Sequence, residues 1–134
     1  MEVTRICLDT SAYSHFKRGH VPCAKLVVAA GTVFVPTVVL GELLTGFRLG
    51  RNPEKNEQEL RNFLASPAVE VIDVDHEVAS IYADIVADLR AAGTPIPTND
   101  IWIASCAVRE GANVLTYDGH FKRIHRAGTR VLTV

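Results

Sequence analysis

Val3-Thr4-Arg5-Ile6-Cys7-Leu8-Asp9 is a short, apolar and partly β-branched run that stops on a carboxylate. Its length and composition predict a buried strand over residues 3–8, with Asp9 at the strand's carboxyl end. The same construction returns late in the chain as Asn113-Val114-Leu115-Thr116-Tyr117-Asp118. Residues 32–35, 69–72 and 129–134 share its character, so five strands are expected over 3–8, 32–35, 69–72, 113–116 and 129–134.

Helical patterns fill the intervals. Residues 22–30 form one helix, with Gly31 expected as its C′ glycine. Residues 36–49 form a second that opens on Pro36, which suits a first turn. Asn52-Pro53-Glu54 is the start of a third, with asparagine as cap and proline just inside. The clearest helix covers residues 75–92. There Val78, Ile81, Tyr82, Ile85, Val86 and Leu89 fall at i, i+3, i+4, i+7, i+8 and i+11 in one apolar stripe. Asp75 is the expected cap and Gly93 the stop. After the rigid Thr94-Pro95-Ile96-Pro97, Thr98 is expected to cap a helix reaching about Glu110. Nearly all-apolar strands alternating with helices mean a parallel sheet covered on both faces. With no repeat, low-complexity tract or linker, the 134 residues are expected to form one domain. Open sheets of this kind bind ligands beyond the carboxyl ends of their strands, where the winding reverses. If the first and fourth strands are neighbours, Asp9 and Asp118 face each other across that crevice.

The bulk numbers exclude some classes. Hydrophobic residues at 48% and charged residues at 22% argue against disorder. A net charge of -1 does not announce a nucleic-acid binder. Locally, however, no acid follows Asp118, whereas Lys122, Arg123, Arg126 and Arg130 are basic, and Lys17 and Arg18 form a smaller cluster. Such clusters suit a phosphate backbone or acidic partner, and a solvated surface equally well. Cys7, Cys23 and Cys106 form no CxxC motif or disulfide framework, which fits a reducing cytosol. No apolar stretch approaches the ~18 residues of a membrane span. Arg5 and Asp9 exclude a signal peptide, so a cytoplasmic protein is expected.

Four acids carry the chemistry: Asp9, Glu42, Asp100 and Asp118. Taken singly, Asp9 also reads as a helix cap, and Tyr117-Asp118-Gly119 as turn chemistry. Asp100 lies in a first helical turn, where the dipole favours an acid. Yet Ile103, Ala104 and Ala107 follow at i+3, i+4 and i+7, so its face is apolar. A carboxylate turned toward a core must be paired, hydrogen-bonded or metal-bound. Glu42 lies off the stripe of Val39, Leu40, Leu43, Leu44 and Phe47, and by itself is an exposed helical glutamate. Gly41, Thr45 and Gly46 leave its side of the helix bare, although each mid-helix glycine costs ~1 kcal/mol against alanine. Two carboxylates ~4 Å apart repel by roughly 4 kcal/mol at an effective dielectric of 20. A cleft holding three or four of them requires a divalent cation. The donors are all oxygens, which suits Mg²⁺ or Mn²⁺ rather than zinc, and such centres serve phosphate chemistry. His15 and His20 are five residues apart, as are His120 and His125. That spacing is not one helical face, and surface positions are expected for all four.

With those residues placed, the chain resembles a PIN domain and, in length and motifs, the VapC-type toxins of prokaryotic toxin–antitoxin pairs. The resemblance spans essentially the whole chain. It rests on Leu8-Asp9-Thr10-Ser11, on Val38-Val39-Leu40-Gly41-Glu42-Leu43-Leu44, on Asn99-Asp100-Ile101-Trp102-Ile103-Ala104 and on Leu115-Thr116-Tyr117-Asp118-Gly119-His120-Phe121. It implies a three-layer α/β/α fold with a central parallel sheet of four to five strands. It implies a metal-dependent endoribonuclease acting on RNA such as transfer or ribosomal RNA and leaving 5′-phosphate and 3′-hydroxyl ends. Residues matching Asp9, Glu42, Asp100 and Asp118 hold one or two Mg²⁺ or Mn²⁺ ions in the family. Thr10, Ser11 and Thr116 match supporting hydroxyl positions. Ser11 stands where many members have asparagine, and Asp118 is asparagine in some relatives. The resemblance also implies a homodimer and a cognate VapB-type antitoxin that covers the acidic cleft or wraps a protruding helical pair over residues 36–66. Trp102, directed away from the Asp100 face, is expected to pack in the core, with a dimer or antitoxin contact as the alternative.

Three other readings compete. A housekeeping PIN nuclease of RNA processing shares every motif. A non-catalytic PIN module that binds RNA or protein has no reason to keep four mutually repelling acids. A phosphate-accepting signalling domain wants an acidic pair after the first strand, where this chain has Thr10 and Ser11.

Overall fold

A computed structural model describes residues 4–134. Five strands alternate with helices: β1 (Arg5–Leu8), α1 (Thr10–Lys17), α2 (Val21–Ala29), β2 (Thr32–Pro36), α3 (Thr37–Leu49), α4 (Pro53–Leu64), β3 (Val69–Ile72), α5 (His76–Ala92), α6 (Thr98–Glu110), β4 (Asn113–Thr116) and β5 (Thr129–Val131). A 3₁₀ turn over Gly119–Arg123 precedes β5. All strand pairs are parallel, in the order β3-β2-β1-β4-β5, the five-stranded α/β/α arrangement expected.

The apolar runs of β1, β2 and β4 became strands because both faces of the sheet are covered at its centre. The edge strands β3 and β5 are partly exposed. Cys7, Leu8, Phe34, Val35 and Val114 are completely buried. β1 lies beside β4, with Leu8 opposite Leu115. The winding therefore reverses between β1 and β4, and the carboxyl ends of those two strands open onto one crevice. α5 and α6 pack against each other, and the Trp102 ring stacks on Tyr82 at a centroid distance of 3.8 Å. Trp102 is half-buried and packs against the core.

Several boundaries differ from expectation. Val3, expected to open β1, lies outside the described residues. β5 stops at Val131, three residues early, after which only the Leu132 N–H still donates, to the Thr116 carbonyl. Gly31 is no left-handed C′ residue. The chain leaves α2 through extended Ala30 (φ -68, ψ 138), and the Gly31 N–H donates at once to the Thr4 carbonyl. Pro36 and Pro97 sit one residue outside their helices, as caps with extended backbone, so Thr98 is the first helical residue and its side chain caps nothing. Asn52 occupies the cap position of α4 without a side-chain hydrogen bond. Asp75 and Gly93 bound α5 as expected: the Asp75 carboxylate accepts from the Val78 N–H, and Gly93 is left-handed at φ 67.

Candidate active site

Asp9 leaves the end of β1 and becomes the cap of α1 in one residue. Its Oδ1 accepts from the Ala12 N–H at 2.8 Å. The Ser11 hydroxyl donates to both carboxylate oxygens, at 2.8 and 3.0 Å. The Thr116 hydroxyl, at the end of β4, donates to Oδ2. Burial pushes the Asp9 carboxyl up from the ordinary range, and these three donors hold it part of the way back. The cap reading of Asp9 is correct, and the same carboxylate stands at the carboxyl ends of β1 and β4.

Thr116 is completely buried and ties the second strand end into the same network. Its Oγ1 also accepts from the Asp118 N–H at 2.9 Å. Asp118 then caps the 3₁₀ turn through the His120 N–H at 2.9 Å. Ser11 Oγ accepts from the Tyr117 N–H at 3.1 Å, a further link between α1 and the segment after β4.

The two helical acids come from opposite directions. Glu42 extends from α3, where the Thr10 hydroxyl donates to its Oε1 at 2.8 Å. Asp100 lies in the first turn of α6 above buried Ile103 and Ala104. Partial burial pushes its carboxyl up to about 6, and the charges of Asp118, Asp9 and Glu42 push in the same direction. Asp9, Thr10, Ser11, Glu42, Asp100, Ile103 and Asp118 line a single cleft of about 320 Å³. Four acids from four separate elements therefore meet in one place.

Among the described residues no lysine or arginine pairs with any of the four acids. The set has oxygen donors, no lysine or arginine beside it among the described residues, and one carboxyl, Asp100, raised to about 6. That chemistry fits a hard divalent cation.

His125 is exposed as expected, whereas His15, His20 and His120 are half-buried. His15 stacks on Tyr117 at 3.9 Å, and His20 Nδ1 meets the Tyr117 hydroxyl. Spacing along the sequence could not reveal this, because α1 ends at Lys17 and the chain turns before His20. His120 stands beside Asp118, with Nδ1 at 3.1 Å from Oδ1. Of the basic C-terminal cluster, Arg126 is taken up by Asp88 and Asp84 on α5, and Arg123 reaches the Pro95 carbonyl.

Residues 6–127 match the PIN domain family. The chain is 36% identical over 87 residues to ribonuclease VapC4 of Mycobacterium tuberculosis, an alignment covering 65% of this chain and 67% of that protein. Ribonuclease VapC2 of Rickettsia felis is 32% identical over 101 residues, 75% of this chain and 74% of the relative. A chain in the crystal structure of VapBC2 from Rickettsia felis, bound to a DNA fragment from their promoter, superposes with a TM-score of 0.85. It is 25% identical and the match covers 96% of this chain and 99% of that one. No helix among the described residues is long and apolar enough to cross a membrane. The fold, the acidic crevice between β1 and β4, and these relatives agree: the chain belongs to the PIN domain family, among its VapC-type members.

Proposed function

We propose that this protein is a metal-dependent endoribonuclease toxin, hydrolysing RNA phosphodiester bonds and restrained by a cognate VapB-type antitoxin. The observation that carries the reading is the meeting of Asp9, Glu42, Asp100 and Asp118 in one cleft with no lysine or arginine, among the described residues, paired to them. Asp9 and Asp100 are the principal ligands, Glu42 and Asp118 complete the set, and the cation is Mg²⁺, with Mn²⁺ as the alternative. Such a cation activates water and stabilises charge on the leaving oxygen. Ser11 and Thr116 fix the Asp9 carboxylate, and Thr10 fixes Glu42, so the ligands need little rearrangement.

An open cleft of about 610 Å³ adjoins Glu42 and is lined by Val38, Gly41, Glu42, Thr45 and Asn99. It gives an RNA strand room to approach, with transfer or ribosomal RNA as the substrate class. The α3–α4 pair is the seat we assign to the antitoxin. Beside it a groove of about 280 Å³ presents Lys17, Arg18, Phe47 and Glu59. A homodimer and a cytoplasmic location complete the reading.

Purified protein should cut RNA at discrete sites when Mg²⁺ is present, with 5′-phosphate ends mapped by sequencing. Chelation, Asp9→Asn and Asp100→Asn should each reduce cutting to background. Undiminished cleavage by either variant would sink the nuclease assignment. Growth arrest on induction, relieved by co-expressing a small gene immediately upstream, separates a toxin from a housekeeping nuclease.

A further inference from the structure

We propose that the His120 imidazole is a nitrogen ligand to the same cation as Asp100 and Asp118, and that it biases the centre toward Mn²⁺ over Mg²⁺. The inference rests on the metal-centre reading of the cleft and adds a donor to it. One ring nitrogen of His120 and one carboxylate oxygen each from Asp100 and Asp118 lie within 4.8 Å of one another. A single ion can touch three atoms so placed.

The state of Nδ1 is the second observation. The atom is buried and has no hydrogen-bond partner, although the His120 side chain as a whole is 44% exposed. Asp118 Oδ1 is only 3.1 Å away, but the approach lacks hydrogen-bond direction, and that oxygen already accepts the His120 N–H at 2.9 Å. Buried polar atoms without partners are rare, and a nitrogen so placed between two carboxylates keeps a lone pair free for a cation. The backbone holds the ring in place from both sides. Asp118 caps the 3₁₀ turn immediately before it, and Phe121, completely buried, anchors the residue immediately after.

Donor chemistry then sets the preference. Mg²⁺ takes oxygen ligands in strict octahedra and gives up its waters reluctantly. Imidazole belongs with transition ions and not with Mg²⁺, so a nitrogen among carboxylates disfavours Mg²⁺ relative to Mn²⁺, although oxygen donors suit both. A lone pair on Nδ1 places the ring proton on Nε2.

Pulsed electron paramagnetic resonance of the Mn²⁺-loaded protein reads this ligand directly. The wild type should show the ¹⁴N coupling of a coordinated imidazole, and His120→Gln should lose it while still binding Mn²⁺. In calorimetry with each metal alone, His120→Gln should weaken Mn²⁺ about tenfold and Mg²⁺ by less than about twofold. Mn²⁺ bound without ¹⁴N coupling, or equal weakening of both metals, would overturn the proposal and leave His120 an ion-pair partner of Asp118. Failure of the wild type to bind Mn²⁺ at all would overturn the metal centre itself, a separate result.

Discussion

The Thr116 hydroxyl donates to the Asp9 carboxylate across 107 residues of sequence, joining the carboxyl ends of β4 and β1. Thr116 is completely buried and also accepts the Asp118 N–H, so one side chain orients two of the four acids. Replacing it with valine keeps the shape but leaves the Asp118 N–H without its acceptor and Asp9 Oδ2 with Ser11 alone as donor. Thr116→Val should lower unfolding free energy by about 1–3 kcal/mol. It should also weaken Mn²⁺ binding by about tenfold, as losses around metal ligands do. Urea unfolding and calorimetry measure the two effects separately. Loss of stability with metal affinity intact would show that Thr116 supports the fold alone.

The double role of Asp9 can be split by choice of substitution. Asparagine caps helices as well as aspartate does, whereas alanine cannot accept the Ala12 N–H. Asp9→Asn should therefore leave α1 capped while cleavage falls to background. Asp9→Ala should lose the same activity and a further ~1 kcal/mol of stability relative to Asp9→Asn. Equal stabilities for the two variants would remove the cap from the account.

These residues also show what sequence could and could not disclose. The strands were readable because parallel strands buried on both faces need continuous apolar runs, and the acids at the ends of β1 and β4 followed from sheet winding. Asp100 was readable because its helix face is fixed by Ile103, Ala104 and Ala107. Glu42 gave little signal: its place in the cleft depends on how α3 packs, and its partner Thr10 is 32 residues away. The Tyr117 contacts with His15 and His20 were hidden for the same reason: His20 lies 97 positions from Tyr117 and His15 farther still, and they meet only in the folded chain. His120 gives little signal in the sequence, because its five-residue spacing from His125 marks no common helix face. The His120 N–H bonds an acid two residues back across a 3₁₀ turn, a relation that helical periodicity does not probe.

Gly41 and Gly46 make a prediction of opposite sign from most core substitutions. Both lie inside α3, and a Cβ added at either would meet nothing within 4 Å. The protein's own packing therefore does not require glycine there. Gly41→Ala and Gly46→Ala should each raise unfolding free energy by roughly 0.5–1 kcal/mol, the helix-propensity difference. Gly41 also lines the open cleft beside Glu42, so Gly41→Leu should impair RNA cleavage while the fold persists. Full cleavage by Gly41→Leu would remove that cleft from the substrate path.

Asp100 gives the centre a defined pH signature. Its carboxyl is raised from 3.8 to about 6, first by burial and then by the charges of Asp118, Asp9 and Glu42. Between those values the metal-free folded protein keeps a proton that the unfolded chain has released. This group's contribution to stability is therefore fully present below 3.8 and is lost as pH rises through about 6. Asp9, also raised, acts in the same direction. Asp100→Asn removes the loss, so the metal-free variant should exceed the wild type at about pH 7.5 by ~1 kcal/mol, a figure discounted for a half-exposed group. In melting temperature that is about 4 °C. Above the raised value the ionised cluster binds a cation best, so Mn²⁺ should raise the wild-type melting temperature more at about pH 7.5 than at about pH 5. Melting curves of both proteins, with chelator and with Mn²⁺, make the comparison. A metal-free Asp100→Asn protein no more stable than wild type at the higher pH would show that burial and the neighbouring acids do not raise this carboxyl.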